Sequence, residues 1–180
     1  MDNPKQNDHI PQPYPCTDLG NMERCIEQHK DYIRSTSPGS WRLWTDKYWK
    51  TATHADIFNL ARKTIDTIQR EADLSLSAAE TSALRRWSET SQSEAKIRSM
   101  INMASKHEDI QVRLGDFDTD RNRINCLNGI IDLTPGHLFG RTPNACVSTI
   151  TTMHYEPPPQ APLSKTFQRQ RFGPDNGLKQ

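Results

Sequence analysis

A chain of 180 residues has room for one domain with loose ends, and a second catalytic domain hardly fits. Lys plus Arg number 23 against 22 Asp plus Glu, so the formal net charge of +1 provides no global field for nucleic acid or an anionic membrane, and any DNA contact needs a local patch. Hydrophobic residues make up 33% and mean hydropathy is −0.84, which is polar but sufficient for a modest core; with no apolar run of bilayer length and no signal-peptide layout in "MDNPKQNDHIPQPYP", a soluble, intracellular protein is expected.

Proline density divides the chain. Pro4, Pro11, Pro13 and Pro15 stiffen an N-terminal arm, residues 1–16, and Pro157, Pro158, Pro159 and Pro162 open a tail, residues 157–180. The domain is expected over residues 17–156, with both ends mobile. Behind Thr17 and Asp18, Met22, Cys25, Ile26 and His29 recur at helical spacing. "WRLWTDKYWK" places two aromatic-rich arms around Thr45-Asp46-Lys47 and predicts a hairpin. From His54 to Glu71, the set Ile57, Leu60, Ala61, Ile65, Ile68 and Ala72 draws one stripe along a helix. Two capping boxes, Ser77-x-x-Glu80 and Ser91-x-x-Glu94, announce two more helices, with apolar faces of Ala83, Leu84 and Trp87, then Ile97, Met100, Ile101 and Ala104.

After Lys106 the period changes. "IQVRL", "RINCL", "GIIDL", "HLFG" and "VSTITTMHY" are short β-type segments separated by turn signals, so the expected class is α+β: a helical first half with an aromatic hairpin, packed on a small antiparallel C-terminal sheet. Asn128-Gly129 reads as a two-residue hairpin turn with glycine at positive φ.

Few patterns carry chemistry. The cysteines at 16, 25, 126 and 146 form no Cys-x-x-Cys pair and no histidine stands near them at ligand spacing, so neither metal nor cofactor is expected. No Gly-Lys occurs for a phosphate loop, and no Gly-x-Ser-x-Gly elbow exists. Asp116, Asp118 and Asp120 alternate as in calcium loops, but Arg121 and Leu127 occupy the expected glycine and glutamate positions. The leading reading of these aspartates is a solvated turn, with a two-metal nuclease as the weaker alternative. Trp41, Trp44, Tyr48 and Trp49 suit cross-strand packing more than base stacking. Arg85, Arg86, Lys96, Arg98, Lys106, Arg121 and Arg123 are candidate nucleic-acid contacts if their elements adjoin, and a solvated helix face otherwise.

The order of "TDLGNMERCIEQHKDYIR", "WRLWTDKYW", "SETSQSEAKIRSMINMA", "INCLNGIIDLTPGHL" and "TMHYEPPPQAP" resembles the poxvirus-type N-terminal-like domain of phage and plasmid primase-helicases. The motif positions are Trp41, Trp44, Trp49, Asn125, Cys126, Asn128, Gly129, Asp132 and Leu133, with departures at Thr45-Asp46, where the family turns on Asp-Gly, and at Ser164. The resemblance implies a replication module without the family's primase and superfamily-three helicase parts. It is then non-catalytic, binding DNA or a replication protein; the alternative is a small phage interaction protein that inhibits a host defence or replication complex. Oligomeric state is open.

Overall fold

The structure, a computed structural model, describes residues 14–37 and 39–157. The expected mobile arm and tail fall outside these residues, apart from residues 14–16 and 157. Among the described residues, no helix is long and apolar enough to cross a membrane.

Among the described residues, four α-helices form where side chains can satisfy their first orphan amides. In α1 (Asp18–His29), Thr17 Oγ1 accepts from Gly20 N at 3.0 Å. In α2 (His54–Leu74), Thr53 and Asp56 close a reciprocal capping box. Ser77 caps α3 (Ala78–Ser91), while the Glu80 carboxylate takes the Ser75 hydroxyl at 2.6 Å, so only half of the expected box forms. The cap of α4 (Glu94–Ala104) is a correction. Ser93, not Ser91, accepts from the Lys96 amide. Ser91 ends α3, fully buried, where it accepts from Asn21 Nδ2 at 3.0 Å; Asn21 Oδ1 accepts from Trp87 Nε1 at 2.8 Å. A buried hydroxyl with a partner in the core outweighs a local capping pattern.

The α2 stripe lies where its spacing requires. Ile57, Ala61, Ile65, Ile68 and Ala72 are buried with Met22, Cys25 and Ile26 of α1, Leu84 of α3, and Ile97, Met100 and Ala104 of α4. Each large side chain so buried contributes about 1.5–3 kcal/mol. Leu60, Trp87 and Ile101 are half-buried at the margin of this core.

Two three-stranded antiparallel sheets complete the α+β fold. The first runs β1 (Ile33–Ser37), β2 (Ser40–Trp44) and β3 (Trp49–Thr51); the second runs β4 (Arg123–Cys126), β5 (Gly129–Asp132) and β6 (His137–Phe139). The aromatic hairpin forms as β2–β3, Trp44 opposite Trp49, with Asp46 at φ 66° in its turn. Two segments expected as strands do not form them. "IQVRL" contributes one parallel bridge, Gln111 to Ser35, and the segment from Val147 to Tyr155 runs as unladdered extended chain. Both act as edge covers: Ile110–Val112 bonds β1 at Ser35, Val147 O accepts from Trp49 N on β3, and Thr151 and Met153 bond Asn125 and Leu127 along β4.

Candidate binding surface

Asn125-to-Leu133 is the motif with the most tertiary consequence. Cys126 pairs with Gly129, so the two linking residues are Leu127 and Asn128, one position earlier than expected, and neither has positive φ. Gly129 instead lies in β5 under β6. Gly129 does hold the expected positive φ, 156°, and a Cβ there would sit 2.6 Å from Phe139 O and 3.0 Å from the Leu138 side chain, so backbone conformation and close strand approach both demand glycine.

The other polar motif residues bind backbone. Asn125, 4% exposed, donates from Nδ2 to Lys47 O at 2.8 Å and Thr149 O at 2.9 Å, and its Oδ1 accepts from Arg141 Nε at 2.9 Å. Arg141 also donates to Cys126 O. Asn128 is bonded both ways to the backbone of Tyr155, and the Tyr155 hydroxyl donates to Gly136 O at 2.9 Å. Asp132 Oδ1 accepts from Thr134 N at 3.0 Å and starts the turn into β6. These groups hold the second sheet to the β2–β3 hairpin and to the chain that follows.

The aromatic residues are structural in the same sense. Trp41 and Trp49 are buried; Trp49 packs against Trp44 and Phe117, ring centroids 5.6 and 6.1 Å away, and donates to Pro143 O at 2.9 Å. Trp44 and Tyr48 are half-buried. Each acidic-run carboxylate has its own partner: Asp116 accepts from Arg113 N, Asp118 from Ser148, and Asp120 from Asn122 N and Arg123.

The candidate basic residues spread over separate elements. Arg85 and Arg86 stand on α3, Lys96 and Arg98 on α4, Lys106 just beyond it, and Arg121 and Arg123 at β4. Four are paired with carboxylates: Arg85 with Asp73 at 3.3 Å, Lys96 with Asp18 at 2.6 Å, Arg98 with Glu94 at 2.6 Å and Arg123 with Asp120 at 3.1 Å. Lys96 also lies 4.9 Å from the Trp87 ring centroid. Arg86, Lys106 and Arg121 make no ion pair among the described residues. A carboxylate beside a cation offsets its attraction for phosphate.

Apolar exposure is more concentrated. Of eleven exposed large hydrophobic side chains among the described residues, six belong to the second sheet and its cover: Ile124, Leu127, Leu133, Leu138, Phe139 and Met153. Leu127 and Met153 meet at the β4 side, where Leu127 N donates to Met153 O at 2.8 Å. Sequence reasoning passed over this surface because each residue belongs to an ordinary strand pattern, and only the sheet's outward position leaves them uncovered.

In the helical half, the buried Arg24 also escaped it, whereas the half-buried His29 lies on the expected α1 face. Arg24, with 0% exposure, forms a bidentate pair with Glu71 at 2.7–2.9 Å and donates to Tyr14 O and Pro15 O. His29 bonds Thr64 Oγ1 at 3.0 Å, and burial pushes its imidazole down to about 4. Burial likewise pushes the Cys25 thiol up to about 11, which leaves it unreactive at neutral pH.

Residues 22–173 match the family model described as D5 N-terminal like. Comparison with curated proteins gives no match.

Proposed function

The chain belongs to the D5 N-terminal-like family, the N-terminal domain of primase-helicase proteins, and from that premise we propose a non-catalytic module of phage or plasmid replication that docks on a replication protein. The observation that carries the reading is the exposed apolar pair at the β4 side of the C-terminal sheet, Leu127 38% and Met153 67% exposed, whose segments are joined by the bond from Leu127 N to Met153 O. Exposed apolar side chains on adjoining chain segments mark protein contact more than phosphate contact. The basic residues support it by default, since four of seven already hold carboxylates. DNA contact through Arg86, Lys106 and Arg121 is the weaker form of the same role.

The test is site-specific cross-linking. A photoreactive side chain at Leu127, in the full chain expressed with its replicon, should capture a primase, helicase or polymerase subunit. The same probe at Arg86 should not. Cross-links from Arg86 to DNA, with none to protein from Leu127, would reverse the reading.

A further inference from the structure

Three of the four outer sheet edges are covered by the chain's own backbone, at β1, β3 and β4. The fourth is β6, opposite the proposed docking side. Among the described residues, its outer edge makes no backbone hydrogen bond, and all three of its residues are exposed. Beyond its shortness it carries no edge protection: no proline, lysine or bulge interrupts His137-Leu138-Phe139.

We infer that β6 is a self-association edge, pairing antiparallel with β6 of a second copy about a two-fold axis at Leu138. An open edge presents a row of amides and carbonyls, so its occupant is an extended backbone. The residues around it favour a copy of itself. From Leu133 to Gly140 there is no acidic or permanently basic residue, so the dyad sets no like charges face to face. Leu138, 41% exposed, meets its own twin. His137 meets Phe139 of the other copy, extending an edge-on contact these residues already make within one chain at 6.4 Å. The result is one continuous six-stranded sheet with an isologous interface. Two three-residue strands bury far less than the ~1,200 Å² of a standard interface, so pairing is expected only at high micromolar concentration.

Sedimentation of the full chain, from about 1 µM to about 1 mM, tests this. The mass should climb from 20.6 kDa toward twice that value. Leu138→Lys and Leu138→Glu should each weaken pairing by roughly tenfold or more, with melting temperatures close to the parent's, because like charges then meet at the axis. Mixing the two variants should restore pairing, an outcome that a merely misfolded variant cannot produce. Monomer at every concentration, equal pairing by the lone variants, or no rescue on mixing would each overturn the inference. So would a monomer whose β6 binds only an unrelated extended strand. Loss of the Leu127 cross-link alone would bear on the docking proposal and leave this one standing.

Discussion

The Asn128 side chain closes on the Tyr155 backbone in both directions: Nδ2 donates to Tyr155 O at 2.9 Å and Oδ1 accepts from Tyr155 N at 3.0 Å. One amide thus imitates a strand neighbour and fastens the outgoing chain to the β4–β5 link. Asn128→Ala removes two hydrogen bonds at an exposed site, with an expected loss of about 1–2 kcal/mol. Gly129→Val should cost more, about 3 kcal/mol, because its Cβ would press on Phe139 O and a β-branched residue disfavours the φ of 156° there. Paired denaturant titrations check the order; an unaffected Gly129→Val would refute the close approach of β6.

Arg24 and Glu71 should behave as a unit. Removing either leaves the other charge in a largely dry site, with an expected loss of about 3–5 kcal/mol for Arg24→Met. The double variant Arg24→Met with Glu71→Met should be less damaged than the sum of the single changes. A double-mutant cycle reads the coupling directly, and strict additivity would contradict the pairing.

His29 predicts a pH dependence. Its pKa falls from 6.5 to about 4 on folding, so between those values the unfolded chain holds more protons than the folded one. Stability therefore rises with pH across this window and is lost on acidification, by up to ~3 kcal/mol. Well above pH 6.5 the group is neutral in both states and contributes no slope. Denaturant titrations near pH 7 and pH 4.5 should show the loss, with a flatter profile in His29→Gln.

The sequence made the helices legible and left the sheet edges hidden, for physical reasons that differ by element. The α2 stripe repeats five buried positions at helical spacing, and periodicity reads such a face without tertiary knowledge. "IRSTS" has one apolar residue, Ile33, so β1 carries almost no local signal and depends on β2 and Ile110–Val112 for its bonds. Ser91 and Ser93 both precede acidic residues, and only the Asn21 contact, 70 positions away, decides between them. Asn128-Gly129 correctly marked a hairpin with glycine at positive φ, yet the second reason for glycine, the approach of Phe139, lies in no local pattern. Arg24 gave no sign because its partner lies 47 residues on. The basic candidates were identifiable as residue types, but two of their neutralising carboxylates are tertiary, across α2–α3 and across α1–α4, while Arg98–Glu94 and Arg123–Asp120 are local pairs.

Trp49 joins the hairpin to the C-terminal half. Trp49→Phe would remove its bond to Pro143 O and leave unfilled space at a site with 0% exposure, for an expected loss of about 2–3 kcal/mol. Hydrogen exchange should accelerate first at the Asp118 amide, bonded to Cys146 O, and at Thr151, bonded to Asn125 O. Uniform acceleration through α1–α4 instead would mean that the two halves unfold only together.

The central claim, that this module docks on protein by apolar surface, is tested most directly by titrating one preparation with a captured replication partner and with DNA across a range of salt. Partner binding should change little with salt and weaken roughly tenfold or more in Leu127→Asp and Met153→Asp. DNA binding should be weak, with a salt slope no steeper than about three phosphate contacts, matching Arg86, Lys106 and Arg121. Tight DNA binding with a slope near seven contacts, lost on replacing Arg85, Lys96 and Arg98 and untouched by Leu127→Asp, would contradict the account.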